Sequence, residues 1–148
     1  LSFSFAGGTA SDPAGQAGIT DLMAELLTDG AGTLGAQAFR QRQEDAAVSL
    51  GFNASLDRLG GSLRVLSVNR DEGFELLRLA LTEPRFDADM LEQRRAQTMA
   101  SLNQASQRPG TVASRTLMAT LFAGHPYAAN PEGTREGLAT LTPELVKK

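Results

Sequence analysis

Strand-like and helix-like segments lie in blocks along this chain instead of alternating one for one, and that order limits the fold more than any single residue does. Leu1, Phe3 and Phe5 alternate with serines, the period of a half-buried strand. "GFNASLDRLGGSLRVLSV" reads as a hairpin, with Phe52, Ala54 and Leu56 pointing one way and Leu63, Val65 or Leu66, and Val68 forming the second strand. From Asp71 onward the patterns are helical. Grouping of this kind predicts an α+β domain, a layered antiparallel-rich sheet packed on helices, over a doubly wound parallel sheet.

The first helical stripe is Ile19, Leu22, Met23, Leu26 and Leu27, with Asp21, Ala24, Glu25 and Thr28 on the opposite face. Asp29-Gly30 is expected to end that helix. A second helix is predicted over 36–49, weakly amphipathic through Phe39 and Val48. A third covers 71–82 on Phe74, Leu77 and Leu81, stopped before Pro84. Then come a long polar helix that Asp87 caps and Pro109-Gly110 breaks, and a helix over 111–122 ended by Gly124 and Pro126. A short helix capped by Asn130 with Pro131 at its first position follows, and a last one that Thr142 caps and Pro143 starts.

The 148 residues, 41% hydrophobic, suffice for one domain with a core. No apolar run approaches the roughly 20 residues that cross a bilayer. A net charge of −3 with 14 dispersed basic residues leaves no electrostatic footprint for a nucleic acid or an anionic membrane. The absence of cysteine excludes disulfides, thiolate zinc sites and cysteine nucleophiles, and leaves the compartment, periplasm or cytoplasm, unassigned. A single histidine cannot supply the imidazoles of an ordinary hydrolytic zinc site, which takes about three protein ligands. "LSFSFAGG" opens inside a strand pattern and "LTPELVKK" stops about one turn into a helix, so residues 1–148 are read as one incomplete domain, truncated at both ends.

Other features take plain readings. "GGTASDPAGQAG" lacks the Gly-Lys-Ser/Thr of a phosphate-binding loop. Asp21 and Glu25 share a helical face, a spacing compatible with a magnesium or calcium site, but solvated acids are the favoured reading, Asp21 lying where the helix dipole favours it. His125, in "AGHPYA", is expected to pack with Tyr127 and satisfy a backbone group. Arg94 and Arg95, with Glu92, read as a solvated helix face, the alternative for Arg94 being contact with a partner or a peptide carboxylate.

Taken in order, four segments resemble the pitrilysin, insulinase and mitochondrial-processing-peptidase family of zinc peptidases: "GGTASDPAGQAGITDLMAELLTDGAG", the strands around "LGFNASLDRLGGSLRVLSV", "LLRLALTEPRFDADMLEQRR", and "LFAGHPYAANPEGTREGLATLT". The likeness covers essentially the whole chain. In that family the helix equivalent to the one after Gly18 carries the inverted motif H-x-x-E-H, whose histidines bind zinc and whose Glu is the general base for a zinc-bound water. The resemblance puts the first His position at Asp21, the base at Ala24 and the second His at Glu25. A third ligand, a Glu on a later helix, falls at Ser101, and a supporting Glu at Arg94. All five are substituted, and alanine has no proton to exchange.

The resemblance therefore implies a non-catalytic member, with no catalytic, metal or cofactor-binding residue in this chain and zinc only in a catalytic partner or other half. Its expected role is the inert half or subunit that completes a peptide-binding chamber with a catalytic peptidase half or subunit, in a homo- or hetero-oligomer that takes unstructured peptides. The alternatives are a non-proteolytic scaffold and a hydrolase with an atypical site.

Overall fold

The computed structural model describes residues 1–146. Strand β1 (Ser2–Ala6), β4 (Ser49–Ala54) and β5 (Arg58–Arg64) form an antiparallel sheet in the order β1-β5-β4. Its register sets Phe3 and Phe52 on either side of Gly61. Glycine is required there, because a Cβ would lie 2.3 Å from the Phe3 ring, whose centroid is 6.3 Å from that of Phe52. A two-residue ribbon, β2 (Gly30–Ala31) with β3 (Leu34–Gly35), stands apart from this sheet.

The helices are α1 (Ile19–Leu26), α2 (Ala36–Asp45), α3 (Arg70–Thr82), α4 (Ala88–Ser106), α5 (Pro109–Leu121), α6 (Arg135–Thr140) and α7 (Pro143–Val146). One cluster of buried side chains joins Leu22, Leu26 and Leu27 to Phe86, Leu91, Leu138, Leu141 and Val146. A second joins Phe39, Val48 and Leu63 to Leu76, Leu77, Leu79 and Ala80. Phe52 packs against both, so the sheet is the wall the two clusters share. This is the expected α+β layering.

Several local readings need correction. The first helix stops at Leu26, and Gly30, at φ +116°, turns the chain into β2 instead of closing the helix. The second stops at Asp45, after which Ala47 takes φ +50° and Val48 enters the core outside the helix, its N–H donating to the Gln43 carbonyl. β5 ends at Arg64, opposite the first residue of β4. Leu66 and Val68 therefore have no strand to pair with and are 59% and 83% exposed. Helix α3 turns Gly73, Leu76, Leu77 and Ala80 inward and leaves Phe74 and Leu81 exposed. The cause is Gly73, whose missing Cβ lets the helix lie directly on Val65.

Asp87 occupies the N-cap of α4, but its carboxylate accepts from Arg85 Nε (2.8 Å) rather than from the helix. Pro109 starts α5 instead of breaking α4. The cap of α6 is Thr134, whose Oγ1 accepts from Gly137 N (3.0 Å). Asn130 holds the preceding turn by donating to the Gly133 carbonyl. Thr142 caps α7 as expected (Leu145 N to Oγ1, 3.4 Å), and the last two residues of the C-terminal helix reading lie outside the described residues.

Candidate functional site

The start of α1 is fixed from two directions. Asp12 does the capping that Gly18 has no side chain to do: its Oδ2 accepts from Gly18 N (2.7 Å), and its Oδ1 accepts from Thr20 N (3.3 Å) and Thr20 Oγ1 (2.5 Å). From the other side, Gly133 and Gly137 press on Ala17, so closely that Cβ atoms there would lie 2.3 and 2.7 Å from its carbonyl oxygen. This contact brings Glu132 to the acidic face of the helix.

Helix α1 lies between β4 and α4, and that sandwich buries more of it than a single apolar stripe provides. Leu22 and Leu26 are buried as expected, but Ala24, assigned to the open face, is only 2% exposed. Asp21 is half-buried rather than solvated, and its carboxyl is pushed up to about 6, first by burial and then by Glu25, Glu132 and Asp12. Glu25 stays exposed. Its carboxyl is also raised, by desolvation, with Asp29 adding to the shift and Arg94 opposing it.

Asp21 and Glu25 of α1, Gln97, Thr98 and Ser101 of α4, Ala54 at the end of β4, and Glu132 line an open cleft of about 530 Å³. Three of the five sequence-designated positions, Asp21, Glu25 and Ser101, thus share one cleft. Ala24 lies outside its lining, and Arg94 is turned to the side. Arg94 is no solvated residue: Nε donates to Asp29 Oδ2 (2.6 Å) and Nη2 to Asp29 Oδ1 (2.9 Å), and Asp29 is 2% exposed. Arg95 is also engaged, with Glu92 (2.6 Å) and the Leu141 carbonyl. Asp12 and Glu132 were not singled out in the sequence, and Asp29 only as part of a helix end; of the three, only Asp12, just before Pro13 and the helix, carried a local capping signal.

Two other hollows lack such convergence. One of about 560 Å³ opens among Leu1, Ser49, Arg64 and Phe74, and one of about 380 Å³ among Leu56, Met118, Ala119 and Tyr127. His125 is structural: its Nδ1 accepts from Tyr127 N (3.2 Å), its ring meets the Tyr127 ring edge-on at 4.7 Å, and the Tyr127 hydroxyl donates to Asp57 (2.7 Å).

The cleft residues do not fit zinc. They offer carboxylates, two hydroxyls and one amide without the imidazole or thiolate that zinc sites rely on, and the chain's single histidine is committed to Tyr127. Among the described residues no group of three His, Cys, Asp or Glu side chains is arranged to hold a metal ion.

No protein-family model matches the sequence. Over all 148 residues the chain is 31% identical to a Helicobacter pylori protein described as "Non-peptidase homolog YmxG", of which it covers 34%. It superposes, over 99% of its length, on 36% of a peptidase M16 inactive domain from Pseudomonas fluorescens with a TM-score of 0.93 at 29% identity. On pitrilysin, where it covers 16% of that chain, the TM-score is 0.80 at 20% identity, a likeness of fold. Throughout its length the chain is thus similar to proteins of the pitrilysin family, a peptidase M16 inactive domain among them. The residues given carry no H-x-x-E-H motif. The chain spans about a third of the length of its curated relative. Within the described residues no helix is long and apolar enough to cross a membrane.

Proposed function

We propose that this chain serves in the inert half or subunit of a two-part peptidase, completing a peptide-binding chamber whose zinc belongs to a catalytic half or subunit. In this reading Asp21, Ala24, Glu25, Ser101 and Arg94 stand where family members carry the first His, the base, the second His, the third ligand and its supporting Glu. The observation that carries it is the cleft itself. It keeps a wall from each of α1, α4 and β4 while its groups suit no zinc, and the alanine at the base position is enclosed and inert.

The same reading assigns a way to hold peptide. Within the described residues β4 pairs only with β5, and Ala54 at its end lines the cleft, so an extended peptide can add to the free edge and run beside the acids. Reconstitution with a motif-bearing partner tests the reading, using unstructured peptides and each component alone and together. The expected result is no cleavage by this chain and increased activity or stability of the partner in its presence. Chelator-sensitive cleavage by this chain alone refutes the reading. No binding to, or effect on, any motif-bearing partner favours the scaffold.

A further inference from the structure

Among the described residues Arg94 is a cation that reaches from α4 to the segment just past α1. Its fork on Asp29 is two-pronged, and Asp29 lies three residues past the end of α1, so the pair ties the two walls of the cleft together. The same guanidinium approaches Gln97, a lining residue (Nη1 to Oε1, 3.5 Å), and its charge acts on Glu25. The lining residues themselves include three acids, Asp21, Glu25 and Glu132, and no base. Glu132 has its own cation in Arg115 (3.3 Å).

We infer that the Arg94 guanidinium, beside this cleft, does what a bound divalent ion does in a metal site: it fastens the segment after α1 to α4 and offsets the Glu25 carboxylate. A tethered cation of this kind makes the cleft indifferent to metal. An incoming ion has to displace two charge-assisted hydrogen bonds from a buried carboxylate and approach a fixed positive charge. The inference rests on the geometry of the pair and stands or falls independently of the chamber reading.

Thermal unfolding of four proteins, with millimolar Mg²⁺, Mn²⁺ or Zn²⁺ and with chelator, tests it. The wild type is expected to show the same Tm in every condition. Arg94→Lys, which keeps a cation but loses the fork, should unfold at lower temperature and remain indifferent to metal. Arg94→Gln removes the cation and exposes Asp29 and Glu25 to hard ions, so its lowered Tm should rise by several degrees with Mg²⁺ or Mn²⁺. That response should vanish in Arg94→Gln combined with Glu25→Gln. If Arg94→Gln is unfolded without metal, the same titration is read as recovery of helical circular dichroism. Divalent stabilisation of the wild type or of Arg94→Lys overturns the inference. So does an Arg94→Gln protein that gains no divalent response, since Arg94 is then a salt bridge and nothing more.

Discussion

Truncating Leu26 to Ala tests whether α1 faces the way its stripe indicates. Leu26 is 1% exposed and belongs to the cluster that includes Leu22, Leu91, Leu138 and Leu141. Three carbons leave the core, worth about 2.4 kcal/mol at roughly 0.8 kcal/mol each. The unrelaxed cavity adds up to about 2.5 kcal/mol, giving a range of roughly 2.4–5 kcal/mol. Its upper end is the more fitting, because the neighbours come from α4, α6 and the segment after α6, which cannot collapse on the gap together. Against a total stability of about 5–15 kcal/mol for a small domain, the loss is a large fraction. The next residue supplies the control: Glu25 is exposed, and Glu25→Ala should change stability by about half a kcal/mol or less. Urea unfolding followed by far-ultraviolet circular dichroism measures both. Equal losses for the two variants, or a loss below about 1 kcal/mol for Leu26→Ala, refute the orientation.

Three further outcomes follow. Asp21 has its carboxyl raised from 3.8 to about 6, so the folded state holds a proton there that the unfolded state has released, and stability falls as pH rises from about 4 through 6. Asp21→Asn should raise Tm at pH 7 and leave it unchanged near pH 4, and a parallel pH profile for the two proteins rejects this. Gly133→Ala combines φ +85° with a Cβ 2.3 Å from the Ala17 carbonyl oxygen, and should cost more than about 2 kcal/mol in chemical denaturation, whereas Gly110→Ala, where a Cβ meets nothing, should be nearly neutral or stabilising. Elemental analysis after dialysis at neutral pH should find no stoichiometric zinc; one tightly held zinc that disappears on Asp21→Ala or Glu25→Ala overturns the metal-free reading.

What the sequence made legible is what local periodicity encodes. The hairpin and the burial of Leu22 and Leu26 follow from spacing alone, because alternate or every third-to-fourth residue must turn to the same side. Helix α3 was placed correctly to within one residue, yet its face was misread, since its rotation is set by Gly73 lying on Val65, a contact that leaves no trace in the helix's own pattern. Ala24 was misassigned for a related reason: α1 is covered on two sides, and a small residue on the second side does not register as apolar periodicity. The cleft was reached through family resemblance, which put Asp21, Glu25 and Ser101 together. Neither resemblance nor spacing revealed the pairing of Arg94 with Asp29, 65 residues apart, because an aspartate before a glycine looks like any helix terminus.

The pressing of Gly133 and Gly137 on Ala17 also sets an order of events. Thr140 Oγ1 donates to the Gly15 carbonyl across 125 residues, and the cover of Leu22 and Leu26 includes Leu138, Leu141 and Val146. During synthesis, then, α1 emerges early but finds its final wall only when the segment after Gly133 has left the ribosome. Until that moment the side of Leu22 and Leu26 that Leu138, Leu141 and Val146 cover is open to chaperones and proteases, and a nascent chain halted before Gly133 should be cleaved more readily than the full chain even though its sheet and α3 are already made.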